Sequence, residues 1–172
     1  MSRALDAYLD IETTGLSFFR DVITVVGIYL CSATDSKLIQ LIGNQVTRDN
    51  LNEALSGVHS IFTYNGRRFD LPFIDSSIGL DLSSSFYHRD LMYDCWRFNL
   101  KGGFKSVERQ LKIPRQLKDV DGFTAVLLWK EYKSYGSKKA LDLLLQYNKE
   151  DVVNLKALRE KLDEFHLAYH SL

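Results

Sequence analysis

Residues 7–16, AYLDIETTGL, set two carboxylates, Asp10 and Glu12, at the end of an apolar run. A strand turns successive side chains to opposite faces, so this pair shares one face. At ~4 Å and an effective dielectric near 20, two such charges repel by roughly 4 kcal/mol. Two further acids recur in comparable places. Asp70, in TYNGRRFDLPF, follows a short strand-like run and its Asn65-Gly66 turn. Asp151, in QYNKED, stands four residues after Tyr147, which makes the two neighbours on one helix face. Leu144 and Leu155 share that face, so it is the buried one. A carboxylate in line with leucines is costly unless paired or metal-bound. No Lys or Arg stands three or four positions from Asp151, so it needs a partner from elsewhere in the fold. Hard divalent cations with oxygen ligands would hold Asp10, Glu12, Asp70 and Asp151 together. Two such cations, ~3.5–4 Å apart, form a clamp for phosphoryl transfer, one activating water and the other stabilising the leaving oxygen.

Positioning these acids calls for strands that end at a site and a helix that crosses them. Residues 6–12 read as a first strand, and 21–30 and 36–43 as two more joined by the turn-rich CSATD in a hairpin. A short helix is expected at 47–56, capped by Thr47 or Asp49, then a strand over VHSIFT and a helix over 69–78 that tolerates Pro72 in its first turn. SFYHRDL reads as a short fifth strand leading into a helix through Trp96. The remainder is helical: FKSVERQLKI closing at Pro114, a helix from Asp121 to about Tyr135, and a long last helix with apolar spacing near 3.6. The expectation is a mixed α/β layer fold with a meander at its start and a site at strand C-terminal ends.

The 172 residues, 45% apolar and 26% charged with two prolines, suit a single ordered domain over 1–172 rather than a disordered chain. The N-terminal MSRALDAYLD lacks a signal-peptide shape, and VITVVGIYLC is too short to span a bilayer. Cys31 and Cys95 are too few for a disulfide framework or a zinc site. A cytoplasmic protein without a membrane partner is therefore expected. The formal net charge is zero, yet Arg97, Lys101, Lys105, Arg109, Lys112, Arg115 and Lys118 face only Glu108, and Lys130, Lys133, Lys138 and Lys139 follow. This run is either a docking flank for a polyanion or a solvated helical face.

Taken together, LDIETTGL, NGRRFD and YNKED resemble the three exonuclease motifs of the DEDD superfamily in its tyrosine-bearing (DEDDy) branch, a DnaQ-like group with a ribonuclease H-like fold. With KGGFKSVERQLKI ahead of the last motif, the chain is most similar to the stand-alone exonucleases of the YprB-like group, over residues 8–155. The resemblance implies an α/β, ribonuclease H-like fold with a five-stranded mixed sheet flanked by α-helices. It implies removal of nucleotides from 3′ ends by two-metal hydrolysis with Mg²⁺ or Mn²⁺, acting on single-stranded DNA or RNA ends and releasing nucleoside 5′-monophosphates. By the same resemblance Asp10, Glu12, Asp70 and Asp151 are the metal-binding carboxylates, and Tyr147 orients the attacking water. Thr13, Thr14 and Leu16 match the segment that holds the terminal nucleotide, and Asn65 and Phe69 match residues that brace the second motif and line the nucleotide pocket. The alternatives are a nuclease of other polarity, a structure-specific endonuclease on the same scaffold, or a nucleic-acid-binding module without turnover. No feature identifies a protein partner.

Other candidates read more plainly. Arg67 and Arg68 either meet a phosphate or lie on a solvated turn. Phe18 and Phe19 could stack on a base or wedge strands apart, with core packing the default. Asp90 is expected to cap a helix and Asp94 to be structural. His59, His88, His166 and His170 show no metal-ligand spacing.

Overall fold

The structure, a computed structural model, describes residues 5–169. The chain forms β1 (Leu5–Thr13), β2 (Ile23–Cys31), β3 (Ser36–Ile42), α1 (Arg48–Ala54), β4 (Val58–Thr63), α2 (Asp70–Ile78), α3 (Leu82–Ser85), β5 (Tyr87–Asp90), α4 (Leu91–Arg97), α5 (Phe104–Gln110), α6 (Gly122–Tyr135) and α7 (Lys138–Tyr169). The strands make one five-stranded sheet in the order β3-β2-β1-β4-β5. β1 to β3 are an antiparallel meander, while β4 and β5 run parallel to β1. The result is the mixed sheet that the motifs implied.

The period-2 pattern of β1 sorts its side chains between two cores. Ala7, Leu9 and Ile11 enter a cluster with Leu51 of α1, Phe73 and Ile74 of α2 and Leu82 of α3. Tyr8 turns the other way, into a cluster with Leu91 and Cys95 of α4, Val107 of α5 and Leu155, Leu158 and Leu162 of α7. Asp10 and Glu12 continue the Tyr8 series and so face α7. Each fully buried Leu, Ile or Phe of these clusters contributes roughly 1.5–3 kcal/mol. A third cluster packs Val25 of β2 against Val120, Ala125 of α6, and Leu144 and Tyr147 of α7. α7 therefore crosses the sheet on the face that carries the acids.

Local capping explains the boundaries. Thr47 accepts from Asn50 N at the start of α1, Asp90 from Met92 N at α4, and Asp121 from Thr124 N at α6. α5 stops at Gln110, short of the expected end at Pro114. A residue before proline disfavours helix, and Lys112 takes φ 55° in the reversal. That reversal turns Arg115 back toward the core. A 3-10 turn at Gly43–Gln45 and the Asp81-capped α3 are short additions too brief for a periodic signal. Cys31 and Cys95 are free and buried. Among the described residues no helix is long and apolar enough to cross a membrane.

Candidate active site

Asp10 and Glu12 leave the C-terminal half of β1, and Asp151 comes down from α7 to meet them. One ligand oxygen from each lies within 4.8 Å of the others. Asp70 is the first residue of α2, and its Oδ1 accepts the Ile11 N–H at 3.1 Å, between Asp10 and Glu12 in the chain. The turn that delivers Asp70 is clamped by Asp90, whose carboxylate accepts Asn65 N at 2.8 Å and Arg67 N at 3.0 Å. Asn65 takes φ 62° in that turn. Gly66 follows it, where a Cβ would stand 2.3 Å from Thr63 Oγ1. The expected helix cap Asp90 thus also fixes the entry to α2. On β1 the pairing register shifts between Glu12 and Thr13, a bulge of the kind that re-aims side chains beside a site.

Asn148, three residues before Asp151, donates to Asp10 Oδ2 at 3.3 Å and accepts Gln40 Nε2 at 3.0 Å on Oδ1. It fits only because β2 carries Gly27 opposite Asp10, where a Cβ would lie 2.1 Å from Asn148 Oδ1. A lone glycine within the β-branched run VITVVGIYL is the sequence signal for such a close approach.

Without a counter-ion this cluster resists ionisation. Desolvation, then the charges of Asp151 and Glu12, push the Asp10 carboxyl well above its ordinary range. Desolvation and Asp151 do the same to Glu12. Burial raises Asp70 to about 7 against the opposing Ile11 hydrogen bond. Asp151 rises to about 6 through burial, restrained by Arg115. Burial and the surrounding acids also raise the Tyr147 phenol, which stays protonated at any working pH. The buried Glu12 Oε1 has no hydrogen-bond partner among the described residues. An all-oxygen donor set, mutual repulsion and an open buried oxygen together fit hard divalent cations.

The partner that Asp151 lacks on its own helix is Arg115, thirty-six residues away. Arg115 is buried, donating Nε to Glu108 Oε2 at 2.7 Å and Nη2 to Glu108 Oε1 at 2.8 Å, with Nη2 also on Asp151 Oδ1. Asn154 closes the set, donating to Glu108 Oε1 at 2.7 Å and to the Pro114 carbonyl at 3.1 Å. Two members of the basic run therefore depart from a solvated face. Arg115 is buried, and the Lys105 ammonium is enclosed 5.0 Å from the Tyr147 ring centre. Local spacing showed that Asp151 needed a partner, but not which one.

Asp10, Tyr147 and Asp151 line a cleft of about 330 Å³ together with Tyr64, Phe104 and Lys105. Thr13, Thr14, Leu16, Asn65 and Phe69 are not among its lining residues. Thr13 Oγ1 donates to Gly15 O at 2.6 Å, and Thr14 Oγ1 to Asp21 Oδ1 at 3.1 Å, so both brace the loop after β1. Leu16 projects from that loop, 83% exposed. Phe18 packs under it against Phe69 and Phe73, at 6.1 and 5.3 Å between ring centres. Phe19 corrects the core-packing expectation: it is 93% exposed. Neighbours in a loop point apart, and only Phe18 reaches α2. Arg67 and Arg68 are exposed, the latter 5.9 Å from the ring centres of Tyr93 and Trp96. Asp94 pairs with Arg89 at 2.6 Å, a structural role. His88 Nε2 lies 2.9 Å from Thr63 Oγ1. His170 lies outside the described residues.

A mixed sheet ordered β3-β2-β1-β4-β5, with acids on its central strand and a helix crossing them, defines the ribonuclease H-like fold. A family model described as the RNase_H superfamily (RNase_H_2) matches residues 7–163, and the chain belongs to that superfamily. Among solved structures the chain is similar to Brucella melitensis NrnC bound to pGG, with TM-score 0.62 and 22% identity over 92% of this chain and 72% of that one. Brucella melitensis NrnC with bound Mg²⁺ gives TM-score 0.61 and 23% identity over the same shares. A structure described as the apo form of the nuclease gives TM-score 0.58 and 21% identity over 93% of this chain and 71% of that one. No curated protein is significantly similar to the chain in sequence.

Proposed function

We propose that the protein is a metal-dependent 3′→5′ exonuclease of the DEDDy type, a single catalytic domain that hydrolyses the terminal phosphodiester of single-stranded DNA or RNA and releases nucleoside 5′-monophosphates. The observation that carries this reading is the convergence of Asp10, Glu12 and Asp151, with Asp70 tied to the same strand, next to a cleft that Asp10, Tyr147 and Asp151 line. The NrnC structures, bound to pGG in one case and Mg²⁺ in another, support the substrate and cation classes. The YprB-like character rests on the motif resemblance.

In this reading Asp10, Glu12, Asp70 and Asp151 would hold two Mg²⁺ or Mn²⁺ ions. When bound, these supply Lewis-acid activation of water and charge compensation at the departing oxygen. Asn148 and Gln40 fix the Asp10 carboxylate, and Arg115 fixes Asp151, so the donor oxygens are pre-set. The protonated Tyr147 phenol can donate or accept a hydrogen bond at the attacking water, but it is no base, because its acidic surroundings oppose ionisation. The motif resemblance assigns Thr13, Thr14, Leu16, Asn65 and Phe69 to the side that receives the terminal nucleotide, next to the cleft rather than in its lining.

The test is digestion of oligonucleotides labelled at either end, with Mg²⁺ or Mn²⁺. A 5′ label should yield a ladder shortening from the 3′ end, and Asp10→Ala and Asp151→Ala should each lose at least about a thousandfold in rate, a barrier increase of roughly 4 kcal/mol. Undiminished digestion by either variant would refute the reading, and a ladder from the 5′ end would refute its polarity.

A further inference from the structure

A second cleft, of about 360 Å³, adjoins the acidic one at Lys105. Lys105 lines both clefts, so the two share a wall. Arg115 ties them again, because it lines the second cleft while its Nη2 holds Asp151 of the first. The second cleft is lined by Lys105, Arg109, Lys112, Arg115 and Lys118 around Ile113 and Pro114. Its one acid, Glu108, is consumed by the two Arg115 hydrogen bonds and by Asn154. The net local charge is therefore strongly positive, opposite to the adjoining cleft.

A solvated face would leave every cation hydrated. Here the buried Lys105 Nζ and Arg115 Nη1 have no hydrogen-bond partner among the described residues. Glu150 Oε2 lies 3.7 Å from Nη1, beyond hydrogen-bond distance. Enclosed cations without full pairing are costly, and a bound anion offsets that cost. Arg109, Lys112 and Lys118 stand exposed at the rim, where they can meet successive charges.

Resting on the exonuclease reading, we propose that this cleft is a phosphate-backbone subsite for the single-stranded polynucleotide that continues beyond the terminal nucleotide in the acidic cleft. The substrate class is then an oligonucleotide several residues long, in preference to a dinucleotide. Contacts to phosphate position the strand without reading its sequence.

Binding without turnover isolates the subsite. Fluorescence anisotropy in EDTA, with fluorescein-labelled two- and twelve-residue DNA and RNA probes, should show the longer probes bound tighter by about tenfold or more at low salt. Each phosphate contact contributes about 0.7 to the slope of log affinity against log salt, so Arg109→Glu with Lys112→Glu and Lys118→Glu should flatten it by about 2. The same variant should erase the preference for length. Lys112→Arg with Lys118→Arg keeps the charge and should keep both properties. Equal affinity for both probe lengths, or a charge-reversed variant that retains slope and preference, overturns the proposal. Length-dependent binding without cleavage by the wild type would overturn the exonuclease reading and leave the subsite standing. Cleavage with no dependence on length would do the reverse.

Discussion

Two carboxylate clusters lie side by side and meet at Asp151, and they are in opposite physical conditions. Glu108 is closed: a bidentate guanidinium and an amide donor occupy its oxygens. Asp10 and Glu12 are open, supported by Asn148 and by little else, with Glu12 Oε1 left without a protein partner among the described residues. A buried acid that the fold itself neutralises is structural. One that the fold leaves short of positive charge is prepared for a cation from solution. Within one site the fold thus puts buried acids to two opposite uses.

The largest effect should come from the closed cluster. Arg115→Met leaves Glu108 buried and uncompensated and should cost about 3–5 kcal/mol of stability, read by urea denaturation. Replacing Glu108 with Gln in the same background should recover part of that loss, since the stranded charge is then gone.

The open cluster should make stability fall with pH when cations are removed. Carboxyl groups whose folded pKa is raised contribute stability that is fully present below their unfolded value, near 4, and that is lost as pH rises through the folded value. Asp151, at about 6, and Asp70, at about 7, place that loss between about pH 4 and 7. Thermal melts in EDTA should show stability falling steadily across the window. Saturating Mg²⁺ should flatten the profile, because bound cations favour the ionised form.

The sharpest contrast in sign is also the smallest expected change. Glu12→Gln in the metal-free protein at pH 8 replaces a buried carboxyl whose ionisation its surroundings oppose with a neutral amide, and should stabilise the fold by on the order of 2 kcal/mol. Destabilisation would mean that Glu12 is paired as Glu108 is, and the distinction between the clusters would fail.

Much of this was legible in the chain. The alternation of DAYLDIE placed Asp10 and Glu12 on one face, and the 3.6-residue spacing put Tyr147 and Asp151 in line with Leu144 and Leu155. Both are local periodicities. The Arg115 pairing was hidden, because it joins residues thirty-six apart through a reversal before Pro114 that no period announces. Counting charges along the run also misplaced Arg115 and Lys105 on a uniform flank, since charge composition carries no direction into or out of a core. The Gly27–Asn148 approach was detectable only as an unexplained glycine. Phe19 differs from Phe18 solely in loop geometry, which neighbouring residues of one type cannot reveal.

The central claim is that the open cluster is a divalent-cation site, and calorimetric titration of Mn²⁺ into the wild-type protein tests it most directly. The account predicts saturable binding of about two ions per chain, weakened at least about tenfold in Asp10→Asn. Asn in place of Asp10 preserves shape and so should leave the fold intact. No binding to the folded wild type, or identical binding by the variant, would contradict it.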